Sequence, residues 1–398
     1  MRIEHVEGIN LFFEYPEAQR FTYAGGVCTG RVTTVVRVVC EDGRVGYGSA
    51  YTHPGMAHLT INGQLAPLLR GDDPREVEAL WEKMYGVTRW YGRKGAAMTA
   101  LGGIDTALWD LRAQDAGQPL WQLFGGDSAR CPAYASGLLW SDPESLAREA
   151  ATHIENGFRR VKMRLSRSEE YDTEAVRAVR RAIGADNDML VDASMRYTPA
   201  IAKRMGDFFA EHGVFWYEEP FAPEDIDAYT GLRGTVGVPL AAGENEFGFQ
   251  GFRELARAGA VDILQPDASR CGGLSEVRRV CDLAAEHGLK AATHSWSDAL
   301  AVVANAHAIA AAPAGITVEI DRTGNPFVEE LLGAPLAVED GHIDLGEAPG
   351  LGVEVDEAVI ECHRMADPLN MPEGSFSDMM FGTAFFPPSL PFTEKTAS

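Results

Sequence analysis

The sequence predicts a closed α/β barrel preceded by a smaller α+β domain. Three observations carry that expectation: the length, a change of texture near residue 130, and eight short apolar runs with helical stretches between them. At 398 residues the chain is long enough for one large domain and one smaller one. Its hydrophobic share of 45% and charged share of 23% are those of a globular protein, not of a disordered one.

The first part does not alternate strand and helix. Residues 33–41 form a β-branched run, Asp42-Gly43 is a hairpin signal, and 44–50 return as a second strand. Helical patterns follow, with Leu101, Ile104, Leu108 and Leu111 spaced for one helix face. Strands first and helices afterwards read as an α+β domain over 1–128. The stretches 23–30 and 51–55 read as loops.

From about residue 131 short apolar runs recur at 131–137, 160–165, 189–193, 214–217, 239–242, 261–264, 290–293 and 316–320. Eight such runs with helices between them predict a TIM-type (β/α)7β barrel over 129–350. No GxGxxG or GxxxxGK[ST] opens any unit, so a phosphate-cradling nucleotide site has no support. The segment 351–398 leaves the rhythm. Pro368, Pro372, Pro387, Pro388 and Pro391 sit there among five Phe residues. It reads either as a strap on its own subunit or as an arm across a neighbour in a homo-oligomer.

The 35 basic and 58 acidic residues leave a net charge of −23, which argues against nucleic acid or an anionic membrane as partner. Residues 1–14 lack the pattern of a secretory signal, and the most apolar segment, 299–313, is too short to span a bilayer. Six scattered cysteines without a CxxC pair read as reduced thiols, so a cytoplasmic location is expected. An anionic small molecule would need a local reversal of the field, for which a bound cation is the obvious source.

In a barrel of this kind functional groups project from the C-terminal strand ends. Seven successive runs end on an ionisable residue: Lys162 (with Arg164), Asp192, Glu218, Glu244, Asp267, His294 and Glu319. The intervals are 30, 26, 26, 23, 27 and 25 residues, each about one strand-helix unit. Any one alone could be a helix cap, an ion pair or a surface lysine. Seven in phase describe a ring around one mouth.

Asp192, Glu218 and Glu244 come from consecutive units and can converge. An oxygen-only, triply anionic pocket suits a hard divalent cation, Mg2+ first and Mn2+ next. Asp267 and His294 stand on adjacent strand ends, where the carboxylate can fix the imidazole tautomer and strengthen the other nitrogen as a base. Lys162 and Arg164 point the same way. A lysine among other cations can have a lowered pKa and act as acid or base, whereas Arg164 suits an anion clamp.

These residues resemble the mandelate racemase group of the enolase superfamily. The resemblance rests on Gly103-Ile104-Asp105-Thr106-Ala107-Leu108-Trp109-Asp110-Leu111 with Pro119-Leu120 and Gly125-Gly126. It rests equally on Glu218-Glu219-Pro220, and on Gln265-Pro266-Asp267 followed by Gly272-Gly273-Leu274-Ser275-Glu276. It implies an N-terminal capping domain, with 351–398 returning to it. It also implies Mg2+ on Asp192, Glu218 and Glu244, and removal of the α-proton of a carboxylate substrate to give an enediolate. By the same resemblance His294 with Asp267 faces one side of the substrate and Lys162 the other. Glu319 matches a protonated group that donates to the substrate carboxylate, a role needing a raised pKa.

Two departures bear on the reaction. Arg164 stands where racemases of the group carry a second lysine, and Asp192-Ala193-Ser194 replaces an Asp-x-Asn. One good base with a fixed guanidinium suits dehydration of a sugar acid, an aldonate or aldarate, to a 2-keto-3-deoxy acid. The alternatives are a racemase, epimerase or cycloisomerase of a hydroxy acid or sugar lactone, and a non-catalytic metal-binding scaffold. In the family cap loops close over the mouth, which makes Arg20, Tyr23, Tyr51 and His53 candidate substrate contacts, with Ser194, Arg196 and Trp296 at the barrel rim.

Overall fold

The computed structural model describes residues 1–24, 26–366, 375–376 and 379–381. Five strands open the chain: β1 (Ile3–Glu14), β2 (Phe21–Tyr23), β3 (Gly26–Cys28), β4 (Gly30–Cys40) and β5 (Val45–Ala50). β4 and β5 are the two expected strands, turned at Asp42-Gly43, where Gly43 adopts φ 87°. β1, which no sequence pattern singled out, completes an antiparallel β1-β4-β5 sheet. Two expected loops are corrected. The 23–30 stretch holds the hairpin β2-β3, and a helix, Pro54–His58, begins inside 51–55. Glycines had masked the first, and Pro54 at the start of its helix the second.

The expected helix is Ala96–Ala116, buried along most of its length between this sheet and the barrel. Its approach explains the Gly272-Gly273 pair. Gly273 has φ 91°, and a Cβ there would lie 2.3 Å from Asp105 Oδ2. A side chain would push the two domains apart at the point where Ser275 donates both its N–H and its hydroxyl to Asp105.

The barrel strands are β6 (Arg130–Gly137), β7 (Arg160–Arg164), β8 (Asp188–Asp192) and β9 (Val214–Glu218), then β10 (Leu240–Ala242), β11 (Ile263–Leu264), β12 (Lys290–Thr293) and β13 (Gly315–Asp321). Each runs parallel to the next, and β13 pairs with β6 to close the ring. All eight coincide with the predicted runs to within a few residues. Below the mouth, Tyr134, Leu190, Trp216, Ala241, Ile263 and Ala292 fill the interior, so the barrel is a packed core rather than a pore. A short β14 (His342–Asp344) lies antiparallel on the start of β6.

The chain then returns to the first domain. The helix Glu357–His363 accepts from Arg37 and Tyr47 through Glu357, and Met365 N donates to Asn10 O. β15 (Ser375–Phe376) and β16 (Met379–Phe381) form a hairpin whose second strand pairs with β3 of the same chain. These strands favour the strap over the arm across a neighbour. Pro368, Pro372, Pro387, Pro388 and Pro391 lie outside the described residues. Among the described residues no helix is long and apolar enough to cross a membrane.

Candidate active site

The strand ends bring the ring together at one mouth. One carboxylate oxygen each from Asp192, Glu218 and Glu244 lies within 4.8 Å of the others. Ser194 donates its N–H (2.7 Å) and hydroxyl (3.2 Å) to Asp192 Oδ1, which leaves Oδ2 facing Arg164 and, at 3.8 Å, Lys162. Trp216 Nε1 donates to Glu218 Oε2 at 3.0 Å. Glu244 Oε2 is buried without a hydrogen bond among the described residues. Burial pushes the Glu218 carboxyl up even though Lys162 pulls it down. A set of oxygen donors that repel one another and are short of hydrogen-bond donors fits a hard divalent cation.

β11 and β12 hold the dyad. Ser269, through N–H and hydroxyl, and Asn305 Nδ2 all donate to Asp267 Oδ1. That leaves Oδ2 for His294 Nδ1, 2.8 Å away. The hydrogen thereby fixed on Nδ1 turns Nε2 toward Glu244 Oε2 (3.6 Å) and Glu319 Oε2 (3.9 Å). Burial works against a charged imidazole, but Glu244, Glu319 and the bond from Asp267 outweigh it and raise the His294 pKa to about 9. From β7, Lys162 Nζ reaches Glu218 and Glu319, each at 2.8 Å.

The hairpin β2-β3 and the loops after β5, β6 and β12 roof the mouth. Tyr51, Leu139 and Trp296 pack together with Phe21 and Tyr23. Arg164 lies beneath, its Cζ 5.1 Å from the Trp296 ring and 5.6 Å from Tyr23. Arg31, from β4, stacks on Trp296 at 4.3 Å and bonds Asp321 at 2.6 Å. Backbone strain gathers at the same mouth. Leu138, Ser166, Ser194, Met195 and Glu219, all just past β6 to β9, have positive φ without being glycine.

Residues 15–125 match the N-terminal domain of mandelate racemase and muconate lactonizing enzyme, and residues 145–359 match the enolase C-terminal domain-like family. This chain belongs to the mandelate racemase/muconate lactonizing enzyme family. It is 36% identical to D-galactarolactone cycloisomerase of Agrobacterium fabrum over 85% of this chain and 93% of that one. It is 33% identical to arabinonate dehydratase of Saccharolobus solfataricus over 81% and 87%. A racemase from Streptomyces coelicolor A3(2), solved with bound magnesium, superposes with a TM-score of 0.85 at 28% identity, covering 91% of this chain and all of that one.

Burial raises the Glu319 pKa, but Lys162, His294 and Arg164 together pull it down to about 2, and the carboxylate accepts from Ser295 N. Glu218 and Glu319 outweigh the penalty of burial and raise the Lys162 pKa. Among the candidate contacts, the structure brings Tyr23, Tyr51 and Trp296 over the ring, and Ser194 is spent holding Asp192. Arg196 rests half-buried against Trp140 at the rim. His53 caps the helix Pro54–His58 through Nδ1, which accepts from Gly55 N. Arg20 sits exposed and is bonded to Glu14 and the Tyr15 carbonyl. Sequence reasoning missed Arg31, Ser269 and Asn305. The signal was present, since each interrupts an apolar or functional run with a polar side chain that must find a buried partner.

Proposed function

We propose that this chain catalyses the Mg2+-dependent dehydration of a sugar acid, an aldonate or aldarate, to a 2-keto-3-deoxy acid. The observation that carries the reading is a three-acid cluster flanked by a carboxylate-oriented imidazole from β12 and a buried lysine from β7. Asp192, Glu218 and Glu244 would hold Mg2+, or Mn2+, which would supply positive charge for the substrate carboxylate and for the charge developed next to it. With the charge of Glu244 engaged by the cation, its pull on His294, the largest that raises the pKa, would be spent. His294 Nε2 then takes the α-proton as the free base, and Asp267 stabilises the imidazolium that results. The C–H electron pair becomes the new carbon–carbon double bond as the β-hydroxyl leaves. Lys162 or the protonated His294 donates the proton that makes it water. Tautomerisation of the enol then gives the ketone. Arg164 stays charged throughout and clamps anion rather than moving protons.

We place substrate contacts at Tyr23, Tyr51 and Trp296 in the roof, with Arg196 at the rim. The division into a cap over 1–128, a barrel over 129–350 and a returning segment from 351 belongs to the same reading. Five of the six free cysteines are buried, which supports a reducing location such as the cytoplasm. The exposed side chains of Trp90, Tyr91, Met56 and Leu59 support a homo-oligomer.

Incubating the purified protein and Mg2+ with a library of acid sugars tests the reaction. A 2-keto product from at least one member is expected, and none from any member contradicts dehydration. Cycloisomerisation is the second reading, favoured by the likeness to D-galactarolactone cycloisomerase. A product of unchanged mass from a lactone, with exchange of the α-proton in deuterated water, would select it.

A further inference from the structure

We infer that the site takes a dicarboxylate, with the second carboxylate held by Arg164 and Trp296. The inference rests on the proposed function for the place of the first carboxylate at the three acids. Arg164 is 5% exposed and Trp296 3%. Arg164 Nε and Trp296 Nε1 are both buried N–H donors with no hydrogen-bond partner among the described residues. The two side chains touch, the guanidinium carbon lying 5.1 Å from the indole ring centre.

Comparison with Arg31 sharpens the point. Both arginines stack on Trp296, but Arg31 has a carboxylate of its own in Asp321, at 2.6 Å. The acid in contact with Arg164 is Asp192, one of the three that would bind a metal ion. Once Asp192 is committed there, Arg164 is a buried cation between the Tyr23 and Trp296 rings whose acid partner is shared. Such a charge is costly unless an anion meets it. A sugar hydroxyl could accept from one of the two donors. A carboxylate has an oxygen for each donor and carries the charge that suits a guanidinium.

The test uses binding, so it does not depend on turnover. The Mg2+-loaded protein is titrated calorimetrically with succinate, glutarate and adipate, each against butyrate, valerate or hexanoate of equal length. At least one diacid is expected to bind about tenfold or more tightly than its monoacid partner. In Trp296→Phe, which keeps the ring but loses the N–H, that ratio should shrink severalfold, and in Arg164→Met it should approach one. Equal affinities of every diacid and its partner in the wild-type protein would overturn the inference. That result would leave dehydration untouched, since the 2-keto assay reads it separately, and a failed 2-keto assay would leave the binding ratio readable.

Discussion

The barrel mouth and the seam between cap and barrel both bury carboxylates, but they treat them differently. At the seam Asp298 accepts from Thr33 and Ser49 hydroxyls and from Ala301 N, and Asp105 is saturated by Ser275. Asp110 accepts from Tyr47 N and Leu351 N, and Asp321 from Arg31, Thr323 and Asn325. At the mouth the acids crowd together, Glu244 Oε2 has no hydrogen bond among the described residues, and Asp192 Oδ2 faces Arg164 and Lys162. Saturated acids hold domains together. Undersatisfied acids leave valence for something that arrives later.

Substitutions in the two places should therefore fail in different ways. The largest effect is expected at the dyad. His294→Asn should lower turnover, and α-proton exchange with deuterated water, by about a hundred- to ten-thousandfold while the melting temperature holds. Equal losses of exchange and of folding would instead make His294 a structural residue. At the seam the order reverses. Asp298→Ala strands two buried hydroxyls and uncaps the helix Ala299–Ala311, which should cost about 3 kcal/mol of stability in denaturant titrations. Its Mg2+ affinity should stay within severalfold of wild type.

A smaller effect separates the seam by pH. His307 accepts from Trp121 N and faces the Leu351 carbonyl, and burial lowers its pKa to about 4 from an ordinary 6.5. Between those values the unfolded chain binds the proton and the folded one does not, so stability falls as pH drops through that window. From pH 7 to 4.5 this single group should remove about 2.5 kcal/mol. The gap in stability between wild type and His307→Gln should narrow accordingly, and a gap independent of pH would show that His307 is not held neutral by the fold.

The same contrast explains what could be read in the sequence. The barrel was legible because each strand is a short apolar run in a repeat of about one strand-helix unit, and the ring because its members fall in phase at one end of those runs. Asp192, Glu218 and Glu244 converge for that reason. The seam was not legible, since Arg31 meets Asp321, and Ser275 meets Asp105, only after two domains fold and dock. The β2-β3 hairpin hid behind glycines and takes a partner strand from residues 379–381, far along the chain. The 2.8 Å approach of Lys162 to Glu319 is likewise something that spacing alone does not give.

Calorimetric titration of the metal-free protein with Mg2+, beside Glu244→Gln, tests the shared cation most directly. One Mg2+ per chain in the wild type, and at least a hundredfold weaker binding in the variant with its melting temperature unchanged or raised, is the expected result. Equal Mg2+ affinity in the two proteins would contradict a cation held jointly by Asp192, Glu218 and Glu244.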